Sequence, residues 1–188
     1  STGDGLMMAY EAGAELLDME MVQFHPTGMV WPPGVRGLLI TEGVRGEGGV
    51  LKNKNGERFM FNDAYMPDNY KGQFAETDEE GVRWLDDKKN NRRPPELLPR
   101  DVVARAIYKE VLAGRGSEHG GVYLDVSHRG EAYVKRKLPS MYEQFHALGD
   151  VDITKQPMEV YPTIHYTMGG IKADPETGAT TVPGLYTA

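Results

Sequence analysis

The chain has 188 residues, the size of one ordinary domain, and its 21 Lys and Arg against 28 Asp and Glu give a net charge of −7. That balance argues against a nucleic-acid binder, whose phosphate contacts need clustered basic surface. With no cysteine it can build no disulfide, thiolate metal site or Cys nucleophile, and no run approaches the roughly 18 apolar residues of a membrane span.

Thr2-Gly3-Asp4-Gly5 runs directly into a helical pattern, Leu6 to Leu17. Met19–Phe24 and Gly37–Thr41 follow as short, apolar or alternating strand candidates. Residues Phe61–Pro95 are polar and charged, which predicts a solvated insertion with one short helix at Asp78–Asp87. The clearest helix runs from Asp101 to Leu112, with Val103, Ile107 and Val111 at i+4 spacing, Pro99 and Asp101 suited to its start and Gly114 to its stop. Gly121–Val126 reads as a strand, Glu131–Leu148 as a helical pattern broken near Pro139, and Met158–Pro162 and Thr180–Tyr186 as further strands. Both ends look cut, since natural termini are more often polar and frayed. The sequence therefore reads as an excised piece of a larger mixed α and β protein.

Common catalytic signatures are missing: there is no G-x-G-x-x-G, G-x-x-x-x-G-K-[ST], H-E-x-x-H or G-x-S-x-G. Four clusters remain. The first is Gln23-Phe24-His25-Pro26-Thr27-Gly28, and the second is Thr41-Glu42-Gly43-Val44-Arg45-Gly46-Glu47-Gly48-Gly49. The third is Pro99-Arg100-Asp101-Val102-Val103-Ala104-Arg105, and the fourth is His165-Tyr166-Thr167-Met168-Gly169-Gly170. Each has an ordinary structural explanation. A histidine beside a strand is usually hydrogen-bonded in place, and a Thr-Glu pair before glycines is usually a turn device. An arginine at a helix start is usually an exposed charge, yet its sign opposes the helix dipole there, and an anion beside it would relieve that conflict. Jointly the clusters offer His and Thr donors, Arg cations and helix N-terminal amides, the groups that hold a small dicarboxylate. Residues alone leave an anion-binding redox or lyase site open beside these structural explanations.

These four clusters, with the opening Thr2-Gly3-Asp4-Gly5 and the closing Val182-Pro183-Gly184-Leu185-Tyr186, closely resemble the flavoprotein subunit of succinate dehydrogenase and fumarate reductase. They occur in the same order and cover essentially the whole chain. L-Aspartate oxidase shares nearly all of them. Two features favour the dehydrogenase and reductase: Gly28 after His-Pro-Thr, where the oxidase more often has alanine, and the long polar insertion Phe61–Pro95.

The resemblance implies an α+β fold: a capping, substrate-binding domain over residues 23–164, flanked by short pieces of an α/β FAD-binding domain at 1–22 and 165–188. The cofactor it implies is FAD, held mostly by segments outside this chain, with Asp4 as the one residue here expected to contact it. No metal is implied within the chain. His25, Thr41 and His165 match the groups that donate hydrogen bonds to succinate or fumarate. Arg100 matches the proton-transferring arginine, and Glu42 and Arg45 match the relay behind it. Electrons would pass to an iron–sulfur subunit and quinone, in a complex with membrane-anchor subunits, peripheral at the cytoplasmic side of the membrane. The alternatives are L-aspartate oxidase and, in another class, a non-catalytic interaction domain. Such a module need not keep His25, Thr41, Arg100 and His165 together, and all four are present.

Overall fold

The computed structural model describes residues 2–187. Its elements run α1 (Asp4–Glu11), β1 (Leu16–Leu17), β2 (Val22–Met29), α2 (Gly43–Gly46), β3 (Val50–Lys52), α3 (Asp78–Asp86), α4 (Arg100–Glu110), β4 (Val122–Asp125), α5 (Glu131–Lys137), α6 (Pro139–Gly149), β5 (Met158–Thr167) and β6 (Gly170–Ile171), with one-turn 3-10 helices between several of them. The fold class is α+β. Two compact units divide it: one formed by the two ends of the chain, up to Gln23 and from Ile164, and one formed by Phe24–Thr163.

In the terminal unit, β1 pairs antiparallel with β6, Leu16 opposite Ile171 and Leu17 opposite Gly170. The helical pattern of Leu6–Leu17 is cut short at Glu11. Gly13 takes a φ of 91°, a left-handed conformation that glycine reaches without a Cβ penalty, and the chain leaves α1 for β1. The strand expected at Thr180–Tyr186 is not continuous. It consists of isolated bridges, Ala173 to Thr180 and Ala179 to Tyr186, because Pro183-Gly184 folds the run back on itself.

The larger unit is built on a four-stranded sheet in the order β2-β5-β4-β3. Strand β4 lies antiparallel to both neighbours, with Leu124 opposite Leu51 on β3 and Met158 on β5. Alternation explains the burial: Val122 and Leu124 are buried while Tyr123 and Asp125 are half-buried. The expected strand Met19–Phe24 starts later, at Val22, and runs on through His25 and Pro26 to Met29, so His25 lies inside a strand rather than at its end. Residues 37–40 pair back onto this strand, through the Gly28–Leu39 bridge and Ile40 N–H donating to the Thr27 carbonyl at 3.0 Å. Strand β3 leaves no signal in the sequence, being only three residues long behind Gly48-Gly49.

Helix α4 presents Val102, Val103, Ala106 and Ile107 to one core with Leu51, Val122, Leu124, Met158 and Val160 from the sheet. It begins one residue before the expected start, at Arg100, and after Glu110 widens into a π turn, Val111–Arg115, in which Gly114 has a φ of 75°. The Glu131–Leu148 pattern resolves into α5 and α6 with Pro139 in the first turn of α6, where its missing N–H costs nothing. Among the described residues no helix is long and apolar enough to cross a membrane.

The polar stretch does contain α3, capped by Thr77, whose Oγ1 accepts from Glu80 N–H at 3.3 Å. It is also more tightly held than a solvated insertion. Phe74, Ala75 and Trp84 are buried, Ala75 N–H donates to the Arg93 carbonyl, and Arg92 bridges Glu76 and Glu80 at 2.8 and 2.5 Å.

At the far end of α4 the buried Glu110 accepts from Arg115 Nε and Nη2 (both 2.8 Å), Tyr65 Oη (2.5 Å) and Asn53 Nδ2 (3.1 Å). The Arg115 hydrogen bonds outweigh burial and, with Tyr65 and Asn53, pull this carboxyl from 4.5 down to about 2. A carboxyl lowered by folding stabilises the native state above its unfolded pKa, and that contribution disappears as the pH falls through the folded value. Glu110→Gln should therefore cost about 1–3 kcal/mol in urea unfolding at pH 7. It should also flatten the loss of stability that the wild type shows between about pH 4.5 and about pH 2. A variant as acid-sensitive as the wild type would remove Glu110 from that role.

Candidate functional site

Pairing between β2 and residues 37–40 brings the first two clusters side by side. Thr27 Oγ1 donates to the Ile40 carbonyl at 3.1 Å, so the residue two places after His25 is tied to the residue just before Thr41. His25 is buried, its Nδ1 3.2 Å from the Thr27 carbonyl and 3.4 Å from Thr27 Oγ1, contacts that orient the ring. Thr41 is exposed, and its Oγ1 accepts from Gly43 N–H at 3.3 Å, which leaves the hydroxyl proton able to donate outward.

The backbone then makes a single helical turn, α2. Thr41 and Glu42 carbonyls accept from Val44 and Gly46 N–H at 3.1 and 3.0 Å. One turn of helix brings residues three apart onto one face, and Glu42 and Arg45 are so related. Glu42 Oε2 lies 3.7 Å from Arg45 Nη2 and accepts from Arg100 Nε at 3.1 Å. The structure thus lines up Arg45, Glu42 and Arg100. Arg45 is buried, whereas the side chains of Glu42 and Arg100 are 50% and 37% exposed.

The electrostatics follow from this arrangement. Partial burial pushes the Glu42 carboxyl up, but the Arg100 hydrogen bond and the charges of Arg45, Arg100 and His25 hold it below the usual carboxylate range. Burial pulls the Arg45 guanidinium down to about 10, with the Arg100 charge adding to the effect and Glu42 and Glu96 opposing it. Arg45 Nη1 donates to the Glu96 carbonyl at 2.6 Å. Its Nε and Nη2 are buried with no hydrogen-bond partner among the described residues.

His165 and Asp4 belong to the terminal unit. His165 is half-buried, its ring edge-on to Tyr166 at 5.5 Å. Asp4 is exposed on the first turn of α1, hydrogen-bonded by Thr2 Oγ1. Among the described residues no group of three or more His, Asp or Glu is placed to hold a metal ion.

Sequence reasoning passes over Glu96 and Arg58. Glu96 is wholly buried and its carboxylate accepts from Arg58 Nε at 2.6 Å and Nη2 at 2.8 Å. A signal for it exists: an acidic residue inside Pro94-Pro95-Glu96-Leu97-Leu98, a run otherwise of prolines and leucines. Arg58 sits among ordinary polar residues and offers none.

The FAD binding domain family matches residues 1–188, and the chain belongs to that family. Its relatives are flavoprotein oxidoreductases. A fumarate reductase (CoM/CoB) subunit of Methanothermobacter marburgensis is 50% identical over 186 residues, covering 99% of this chain and 28% of that protein. A solved quinol-fumarate reductase with menaquinol molecules is 40% identical with a TM-score of 0.74, covering 98% of this chain and 29% of its own. An L-aspartate oxidase of Neisseria meningitidis is 39% identical over 186 residues, covering 98% of this chain and 31% of that protein. The chain therefore spans less than a third of the length of these relatives.

FAD is the family's cofactor, and residues of the terminal unit fit part of it. An exposed carboxylate such as Asp4 accepts hydrogen bonds from sugar-type hydroxyls. Nothing lies within 4 Å of a Cβ built on Gly3 or Gly5, so the backbone there is open to close approach. A glycine-rich pyrophosphate cradle is not among the chain's motifs.

Burying Arg45 with one hydrogen bond for its guanidinium among the described residues costs stability that the Glu42 attraction does not fully return. Arg45→Met, similar in length and without charge, should leave the urea midpoint of the larger unit unchanged or raise it by the equivalent of about 1–2 kcal/mol. A loss of more than about 3 kcal/mol, as for breaking a well-compensated buried pair, would show that Arg45 is a structural cation.

Proposed function

We propose that the protein containing this chain is an FAD-dependent flavoprotein of the succinate dehydrogenase and fumarate reductase type, and that residues 23–164 are its substrate-binding cap. The observation that carries the reading is the string Arg45–Glu42–Arg100, with Glu42 3.7 Å from one guanidinium and 3.1 Å from the other. A path of this kind, from a buried cation through a carboxylate to a half-exposed arginine at a helix start, is suited to moving protons. The relatives named as fumarate reductase give the reading its substrate class.

In this reading His25, Thr41 and His165 donate hydrogen bonds to the two carboxylates of the substrate. Thr41 suits the task because its oxygen is engaged by Gly43 N–H and its proton meets no acceptor among the described residues. Arg100 holds one carboxylate or the adjacent carbon within reach and moves the proton at that carbon. FAD, when bound, supplies the hydride acceptor for succinate or the hydride donor for fumarate. In the reducing direction Arg100 gives its proton to the substrate carbon and recovers one through Glu42 Oε2, which takes it from Arg45, and Arg45 is reprotonated from solvent to restore the relay. In the oxidising direction the same groups run backwards.

An arginine is normally protonated throughout the physiological range, so it makes a very weak acid. The proton it exchanges sits on carbon and is itself only weakly acidic, which matches acid to task. A planar fork can also bind a carboxylate while it transfers the proton. In the oxidising direction electrons leave through an iron–sulfur subunit towards quinone, in the reducing direction they arrive by the same route, and the complex sits peripherally at the cytoplasmic side of the membrane.

In the FAD-loaded protein, Arg100→Lys should lower kcat for fumarate reduction or succinate oxidation by at least about 10³, since it keeps the charge and loses the fork and its bond to Glu42. Turnover within tenfold of wild type would remove Arg100 from proton transfer. A substrate panel that gives turnover with L-aspartate and none with succinate or fumarate would replace this reading by that of an oxidase.

Binding and chemistry should also separate. Thr41→Ala should weaken the dicarboxylate inhibitor malonate by about 1–3 kcal/mol, as for a hydrogen bond to a charged group. Glu42→Gln should lower kcat and leave malonate affinity within about twofold, because Glu42 acts behind Arg100. Loss of malonate binding in Glu42→Gln with little change in kcat would make Glu42 a binding group instead.

A further inference from the structure

We propose that Glu96, clamped by Arg58, is the positioning residue that sets the geometry of the Arg45–Glu42–Arg100 path. The inference rests on reading that path as the proton route. Its geometric basis is independent of which substrate the protein takes.

Three facts converge on Glu96. Its side chain is fully buried, and its carboxylate is gripped by both arms of the Arg58 fork, at 2.6 and 2.8 Å, with Leu51 N–H at 3.4 Å. Its own carbonyl is the acceptor for Arg45 Nη1 at 2.6 Å, the one hydrogen bond that anchors the buried guanidinium among the described residues. It lies in the 3-10 turn Pro95–Leu97, four residues before Arg100, and the connection is stiff. Pro94, Pro95 and Pro99 fix φ at three of the positions around it, and the Pro99 carbonyl accepts from Val102 and Val103 N–H to open α4. One buried carboxylate therefore references both cations that flank Glu42: Arg45 through a carbonyl, Arg100 through a proline-stiffened turn.

Stability alone is a poor reason to bury this pair. Taking Arg58 and Glu96 out of water costs about as much as their attraction returns, and an apolar pair of similar volume is often as stable. What a fully hydrogen-bonded fork adds is a fixed position. Arg58 is itself braced, since its Nη1 donates to Asp78 at the start of α3 and its guanidinium lies 4.7 Å from the Phe61 ring centroid. A proton path tolerates little displacement: an error of about 1 Å can cost about 10² in rate.

The experiment compares Glu96→Gln, Glu96→Asp and wild type in the FAD-loaded protein. Glu96→Gln should lower kcat about tenfold or more and leave malonate affinity within about twofold, while Glu96→Asp, which keeps the charge, should recover part of the loss. In a double-mutant cycle with Arg45→Lys, the losses should not add, because Glu96→Gln loosens the turn that carries the Glu96 carbonyl and Arg45→Lys removes the guanidinium that this carbonyl holds. A merely structural role would give additive losses or raise KM with kcat intact. Should Glu96→Gln fail to fold, Arg58→Lys tests the same claim, since it keeps the charge and opens the fork.

A second readout needs no turnover. In nitrogen-15 NMR of this chain, the two Nη groups of Arg45 should give distinct signals in the wild type, where Nη1 is held on the Glu96 main-chain carbonyl, and should merge in Glu96→Gln as the unclamped turn moves that carbonyl and the guanidinium rotates. Wild-type kcat in Glu96→Gln, additive losses in the cycle, or an Arg45 signal unchanged by the substitution would each overturn the proposal. If the wild type turns over neither succinate nor fumarate, the proposed function falls, and the Arg45 signal still decides whether Glu96 positions that side chain.

Discussion

Arg45 carries a positive charge to a place that water does not reach, and the site is organised around the shortage of partners this creates. Among the described residues its guanidinium has a single hydrogen bond, to the Glu96 carbonyl, and one carboxylate within 4 Å, that of Glu42. Burial lowers its pKa to about 10. A cation in that condition strongly favours a negative Glu42, and Glu42 is also claimed by Arg100. The carboxylate is thus shared between two arginines, one sealed inside and one facing outward. Native proteins keep such imperfectly satisfied groups chiefly where they serve function.

Holding three charged groups in line requires a scaffold with few alternatives. The sheet β2-β5-β4-β3 and the face of α4 that includes Val103 and Ile107 supply the dry wall. The single-turn helix α2 sets Glu42 against Arg45 by helical spacing alone. The proline-rich turn before α4 delivers Arg100 from the other side. Glu96 and Arg58 connect these parts, because one residue supplies a carbonyl to Arg45 and a carboxylate to the fork that fixes the turn. At the far end of α4, Glu110 and Arg115 close the helix over its π turn, so the element that carries Arg100 is restrained at both ends.

Where the fold departs from expectation, the reason is local and physical. Strand β2 continues past Phe24 although Pro26 argues against a strand interior, since a proline has no N–H to give to a ladder. Residues 37–40 pair on a few positions only, so alternation there promises more strand than forms. The Phe61–Pro95 stretch resembles a solvated insertion because its charges dominate the composition. Its buried Phe74, Ala75 and Trp84 are too widely spaced to register as a periodic pattern. The helices α3, α4, α5 and α6 are legible because each carries local evidence: the Thr77 cap, i+4 apolar spacing, Gly114, and Pro139 where one helix gives way to the next.

By itself the sequence determined the mixed α and β class, the helices with caps and breakers, the absence of any thiol chemistry, and four ordered clusters specific enough to indicate the flavoprotein family. These are properties of residue type and near-neighbour spacing, which short-range physics controls. The resemblance already implied that Glu42 and Arg45 serve Arg100, but only the tertiary structure decided that Glu42 touches both arginines, that Arg45 is sealed from water, and that Glu96 and Arg58 stand behind them. Glu42 and Arg100 are 58 residues apart, Arg45 and Glu96 51, and Arg58 and Glu96 38. Contacts at such separations, and the burial that gives a charge its altered pKa, arise only when the sheet and α4 close on one core, since desolvation depends on what surrounds a group in space.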